Sequence, residues 1–198
     1  LTVRLIGAEA PKDEGLSLPD PTSSPALISM HRLEAITLDK VVQLFYGGQR
    51  RDRYGRALAH VMVQEGNIPI WVQERMIAEG MARVYSFRDN RSCSRQLLEF
   101  EKGAQRARRG IWSLPQYQVL SADPPAKLLD LVDTYQIIEG KVVSAHAVNN
   151  RVYLNFGRIW KEDFTGSISE RDYAKFLAQG FDLVALEGRV VRIRGWIE

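Results

Sequence analysis

Apolar and polar positions change period several times along the 198 residues. Residues 1–7 are apolar and β-prone and read as a strand. Residues 11–25 hold Pro11, Pro19, Pro21 and Pro25 among Asp, Ser and Gly, the composition of an exposed loop. Ser24-Pro25 is a helix start, a hydroxyl cap followed by a proline whose missing N–H costs nothing. Ala26, Leu27, Met30, Leu33 and Thr37 then follow helical spacing and predict one buried stripe. Two apolar runs, 40–46 and 57–63, flank a short polar, Gly-punctuated segment and read as a β-hairpin. Gly66-Asn67 closes the second run, and Asn67 is placed to cap a helix from 68 or 69 to 79, ended by Gly80. Residues 83–87 read as short and extended. Residues 94–109 read as a helix whose stripe (Leu97, Leu98, Glu101, Ala104, Arg108) predicts burial mainly in its first turns.

A polar stretch with Pro115, Pro124 and Pro125 then interrupts the pattern. Beyond it, 135–147, 151–157 and 164–168 are strand-like, 170–179 helical and 189–197 strand-like, with Asn149-Asn150 as a turn. Strands, a helix and a further strand follow one another as in an OB-fold. The expected class is α+β, mainly β, with one domain over 1–117, a linker over 118–132 and a second, OB-like domain over 133–198.

Charge sharpens this division. The net charge is +3; 17 of the 27 Lys+Arg but only 13 of the 24 Asp+Glu fall at or before Leu120. The basic surplus thus belongs to the first domain, where a polyanion would sit. Cys93 is the single cysteine, which excludes an intrachain disulfide or a thiolate zinc cluster and reads as inert packing. No apolar run approaches bilayer-spanning length. The hairpin tip holds Arg50, Arg51, Arg53 and Arg56. Guanidinium forks bind phosphate oxygens bidentately and stay charged at any working pH, so a phosphate-binding tip is expected.

The order of residues at this tip, Asp52-Arg53-Tyr54-Gly55-Arg56-Ala57-Leu58-Ala59, resembles the signature of the thermonuclease (staphylococcal-nuclease-like) family. Val3-Arg4-Leu5-Ile6-Gly7-Ala8-Glu9-Ala10-Pro11 is similar to that family's arginine-bearing strand and acidic turn. Gly80-Met81-Ala82-Arg83-Val84-Tyr85 and Gly110-Ile111-Trp112 supply a third match in the same order. The resemblance, which covers residues 1–117, implies a first domain built as an OB-fold barrel with about three helices; with the OB-like element order of the second half, two barrels in tandem are expected. It also implies an exported protein, secreted or periplasmic, that contacts nucleic acid and not membrane.

For the site, the resemblance implies that Arg4 and Arg56 grip the scissile phosphate. Arg53, Tyr54 and Tyr85 stand at or near substrate-contacting positions, with packing the preferred reading for Tyr85. In the family a calcium ion and a glutamate complete the hydrolytic site. Here Glu9 stands at the position of a metal-binding aspartate, Ala10 replaces a threonine, and Lys12 occupies the place of the general-base glutamate. A lysine there repels a cation. The leading expectation is therefore a sequence-independent binder of single-stranded DNA or RNA that keeps its arginines and has lost its catalytic loop. An active calcium-dependent phosphodiesterase with Asp13 or Glu14 as substitute base is the first alternative. A tandem-barrel scaffold for protein partners is the second. In the second domain Trp160 is a candidate for base stacking, and Arg192 and Arg194 for a basic track.

Overall fold

Two short strands take the place of the one expected at the start: β1 (Val3–Leu5) and β2 (Gly7–Glu9). Gly7 makes the break. Its φ is +79°, and a Cβ there would fall 2.6 Å from the Leu97 side chain, so a residue without a side chain is needed. The computed structural model describes residues 1–12, 24–86, 90–149, 151–159 and 161–198, grouped as two units, Leu1–Tyr117 and Gln118–Glu198.

In the first unit Ser24 caps α1 (Pro25–Thr37), its hydroxyl accepting the Leu27 N–H at 3.2 Å. The buried line of α1 runs through Ser29 and Ile36, not through Met30, which is exposed. Ser29 earns its burial by donating to the Met81 carbonyl at 2.8 Å, a partner that apolar periodicity does not reveal. β3 (Val42–Phe45) pairs antiparallel with β4 (Ala57–Glu65), which is the expected hairpin. The helix expected from Asn67 begins later. Gly66-Asn67 is a two-residue hairpin turn into β5 (Ile68–Trp71), which pairs back onto β4, and α2 (Val72–Ala78) follows directly. β-branched Ile68 and Ile70 favour the ladder over a helix turn.

β6 (Arg83–Tyr85) pairs antiparallel with β2, and α3 (Ser94–Arg106) packs behind it. Burial in α3 does not fade after its first turns, because Leu97, Glu101 and Ala104 are all fully enclosed. The Glu101 carboxylate accepts the Val84 N–H at 2.7 Å and so pins β6 to the helix. The core of this unit gathers Val61 and Val63 of β4, Val72, Met76 and Ile77 of α2, Val84 and Leu97. Cys93, expected to be packed, is exposed at the start of α3.

The second unit includes the stretch expected to be a linker. β7 (Leu120–Ser121) runs parallel beside β8 (Tyr135–Lys141), and Leu128 is buried between them in sequence. Leu120 and Ala122 before the proline pair, and Leu128 after it, tie the segment to the core. β9 (Ser144–Val148), β10 (Arg151–Asn155) and β11 (Thr165–Ser169) form an antiparallel meander. α4 (Glu170–Ala178) follows, and β12 (Val190–Trp196) pairs with β8. Phe156 packs into this core against Phe164. The class is α+β, with several separate sheets. No ladder among the described residues closes a barrel in either unit. Among the described residues no helix is long and apolar enough to cross a membrane.

Candidate phosphate-binding face

β1 lies parallel to β4 with Arg4 opposite Leu58, while Val3 and Leu5 stand opposite Ala57 and Ala59. Val3 and Leu5 pack against the core. Alternation along the strand therefore turns Arg4 to the other face, together with Leu58. Arg56 precedes Leu58 by two residues, and the Ala57 N–H donates to the Thr2 carbonyl at 2.9 Å, which carries the ladder back to that point. Arg4 and Arg56 thus leave one face of the sheet as diagonal neighbours. Strand spacing and rise put their Cα atoms roughly 8 Å apart, within the reach of two long side chains. Further along the same face, His60 is buried, with Nε2 at 3.2 Å from the Ser92 hydroxyl. Burial holds the His60 pKa below its ordinary value, against an opposing contribution from the Ser92 carbonyl.

The turn before β4 is organised by Asp52. Its Oδ1 accepts the Tyr54 N–H at 2.9 Å and the Arg56 N–H at 3.0 Å, and its Oδ2 accepts Nε–H of Arg56 at 2.6 Å. Desolvation pushes the Asp52 carboxyl up. The side-chain bond from Arg56, the two backbone N–H groups and the guanidinium charge outweigh it and hold the pKa below the usual carboxylate range. The Arg56 side chain keeps 33% of its surface accessible. Around it, Arg53 lies 4.7 Å and Arg56 5.3 Å from the centre of the Tyr54 ring, and Arg50 lies 5.2 Å from that of Tyr46. Tyr54 is 67% exposed. Arg53 also donates to the Tyr54 hydroxyl at 2.6 Å, and Arg51 to the Gly55 carbonyl at 2.7 Å. From outside the turn, Asn90 donates to the Gln49 carbonyl at 2.9 Å.

The remaining expected site residues lie elsewhere or have other partners. Glu9 stands on β2 opposite Arg83, and the two pair at 3.4 Å with both side chains largely enclosed. Arg83 also lies over the Tyr117 ring at 5.9 Å. Lys12 is exposed, and Tyr85 is half-buried opposite Gly7. Asp13, Glu14 and Trp160 lie outside the described residues. Arg192 does not contribute to a basic track, since Glu139 takes it through Nε and Nη2 at 3.0 and 2.6 Å. That cross-strand carboxylate could be found only once the β8–β12 register was known.

Calcium takes six or more oxygen ligands. Among the described residues no group of three or more His, Cys, Asp and Glu is arranged to hold a metal ion, and the Glu9 carboxylate is engaged by a guanidinium. The described donors do not fit that ion. Two residues of this arginine-rich face carry weaker signals in the sequence. Tyr46 carries its signal in being aromatic four residues before Arg50. Asp52 carries its own in preceding Arg56 by four across a Gly-containing turn.

Residues 2–114 match the family model described as staphylococcal nuclease homologue. The chain is 31% identical over 112 residues to a thermonuclease of Staphylococcus hyicus, covering 56% of this chain and 62% of that protein. It is 36% identical over 90 residues to the SPbeta prophage-derived endonuclease YokF of Bacillus subtilis (strain 168), covering 45% of this chain and 29% of the relative. Endonuclease YncB of the same strain also matches at 36% over 90 residues, covering 41% of its length. The chain therefore spans less than two thirds of each of these relatives.

Proposed function

Because the chain belongs to the family of staphylococcal nuclease homologues, we propose that its first unit binds single-stranded DNA or RNA through the phosphates, without reading sequence. The reading rests on Arg4 and Arg56 leaving one sheet face beside a turn with three further arginines and an exposed Tyr54. Guanidiniums supply salt-sensitive affinity for the backbone, and aromatic faces tolerate any base. Tyr46 and Tyr54, already stacked against arginines, offer such faces at the edge of the phosphate contacts. Strand order in both units supports the finer reading of each as an OB-fold derivative.

Catalysis is not part of this proposal. A base is missing at Lys12, the Glu9 carboxylate is spent on Arg83, and no described cluster suits calcium. Fluorescence anisotropy of a labelled single-stranded oligonucleotide, titrated with the full chain at several salt concentrations, tests the reading. Salt-dependent binding is expected, and Arg56→Ala should flatten the log–log salt slope by about one. Absence of binding at low salt overturns the proposal in favour of a protein-interaction scaffold. Digestion of the oligonucleotide with calcium, abolished by chelator and by Arg56→Ala, replaces it with the phosphodiesterase. The endonuclease names of two relatives make that second assay worth running beside the first.

A further inference from the structure

An arginine presents two bidentate edges, one formed by Nε with a terminal nitrogen and one formed by the two terminal nitrogens. Asp52 Oδ2 occupies Nε of Arg56 at 2.6 Å, and so consumes the first edge. Among the described residues the terminal Nη1 and Nη2 have no hydrogen-bond partner, although the guanidinium sits over Tyr54. The carboxylate doing this is itself fixed. Its other oxygen takes the Tyr54 and Arg56 N–H groups, and the turn is closed by Gly55 N–H to the Asp52 carbonyl at 3.0 Å and by Asp52 N–H to the Arg56 carbonyl at 3.1 Å. A ligand oxygen pair can therefore meet Arg56 end-on, with the direction of approach set by the turn.

We infer that Asp52 is a positioning residue for phosphate recognition: it clamps Arg56 by Nε so that the Nη1–Nη2 edge is held ready for one phosphate group. This rests on the phosphate-binding reading above and adds a role to a residue that would touch no ligand. Its sign runs against simple electrostatics. A carboxylate beside a phosphate site repels the ligand, so removing its charge should tighten binding if charge alone matters. Positioning demands the reverse, because a guanidinium released from Asp52 must be ordered at the ligand's expense.

Asp52→Asn is the discriminating variant. Its amide oxygen can still accept the two backbone N–H groups, while its NH2 faces Nε–H donor to donor and lets Arg56 go. In anisotropy titrations of the full chain with labelled single-stranded oligothymidylate, Asp52→Asn should bind roughly fivefold more weakly. Arg56→Ala and the double variant should bind equally, the mark of two residues acting as one. Tighter or unchanged binding by Asp52→Asn overturns the inference, as does additive loss in the double variant. A readout without ligand separates the clamp from phosphate binding. In 15N spectra the Arg56 Nε–H, identified by its absence in Arg56→Lys, should be protected from solvent exchange in the wild type and not in Asp52→Asn. An unprotected Nε–H in the wild type sinks the clamp even if oligonucleotide binds. A protected Nε–H in a chain that binds no oligonucleotide sinks the phosphate-binding reading instead.

Discussion

Gln73 stands in for a missing piece of strand beside Ala59. Its Nε2 donates to the Ala59 carbonyl at 2.9 Å, and its Oε1 accepts the Val61 N–H at 3.1 Å. β1 pairs with β4 as far as Ala59 and β5 takes over from Met62 on the same edge, so the backbone groups between them have no strand partner there. The amide also reaches the Ile6 carbonyl at 3.4 Å, tying α2 to the end of β1. A fully buried polar side chain survives because it supplies the Val61 N–H with an acceptor and adds a second donor to the Ala59 carbonyl, which also accepts the Ile6 N–H at 3.2 Å.

Replacing Gln73 by Leu should therefore cost about 1–3 kcal/mol, the penalty of the buried Val61 N–H left without its acceptor while the Ala59 carbonyl keeps the Ile6 N–H. Denaturant unfolding with separate signals for the two units checks this. Gln73→Glu should be nearly as damaging, since a carboxylate cannot donate to Ala59 and would be charged in a closed space.

Gly80 and Gly110 meet back to back where α2 ends. Both have positive φ, +72° and +51°, and the Ile111 N–H donates to the Gly80 carbonyl at 2.9 Å. A Cβ on Gly80 would lie 2.1 Å from the Arg109 carbonyl oxygen, and one on Gly110 would lie 2.2 Å from that of Gly80. Backbone cannot give way as a flexible side chain can. Gly80→Ala and Gly110→Ala should each destabilise by about 3 kcal/mol or more. Thermal melts showing no loss in either variant would rule out the close approach.

α1 is held to the end of α2 by Arg32, which donates from Nε at 2.5 Å and from Nη2 at 2.6 Å to the two oxygens of Glu79. The hydrogen bonds from Arg32 lower the Glu79 pKa, desolvation opposes them, and the charges of Arg32 and Arg75 add to the lowering. A carboxylate with a depressed folded-state pKa stabilises the fold above its unfolded pKa. That contribution fades as pH falls through the folded value. The wild type should lose about 1 kcal/mol more than Glu79→Gln on acidification, a modest figure because both side chains keep about a third of their surface in solvent. Stability curves of the two proteins from neutral to acid pH should converge. Parallel curves would remove the pair from the acid response.

Patterns that depend on local chemistry were legible in the chain, and those set by distant partners were not. Ser24-Pro25 announces α1 because capping is decided within one turn, and the β3–β4 hairpin follows from two apolar runs around Gly-punctuated polar residues. Arg4 and Arg56 were recognisable from motifs, yet their shared face follows only from the parallel register of β1 on β4. Ser29, Gln73 and Glu101 are polar residues buried against backbone groups 52, 12 to 67 and 17 positions away, so periodicity misassigns them or passes them by. Residues 68–71 show the opposite failure. An Asn beside Gly carries the signal of a helix cap, whereas the edge of β4 recruits the next four residues as a strand. Motif position points Glu9 to a metal, but the β2–β6 register sets it against Arg83.

Tyr54 offers the sharpest test of the proposed contact between the arginine turn and a nucleic acid. Its ring is exposed, lies under two guanidiniums, and has its hydroxyl engaged by Arg53. If the ring serves mainly as a platform, Tyr54→Phe should keep most of the affinity, since the π-face remains and only the hydrogen bond to Arg53 is lost. Tyr54→Ala should weaken oligonucleotide binding by about tenfold, the loss of one stacking contact, with the salt slope nearly unchanged because no phosphate contact is removed. Arg53→Ala should do the opposite, lowering the slope while costing less at high salt. A parallel loss of slope in Tyr54→Ala would mean that the ring acts by holding Arg53 and Arg56 in place, and that bases are not stacked on this surface. The pair of slopes, measured on the same oligonucleotide over the same salt range, decides between a platform and a scaffold for the guanidiniums.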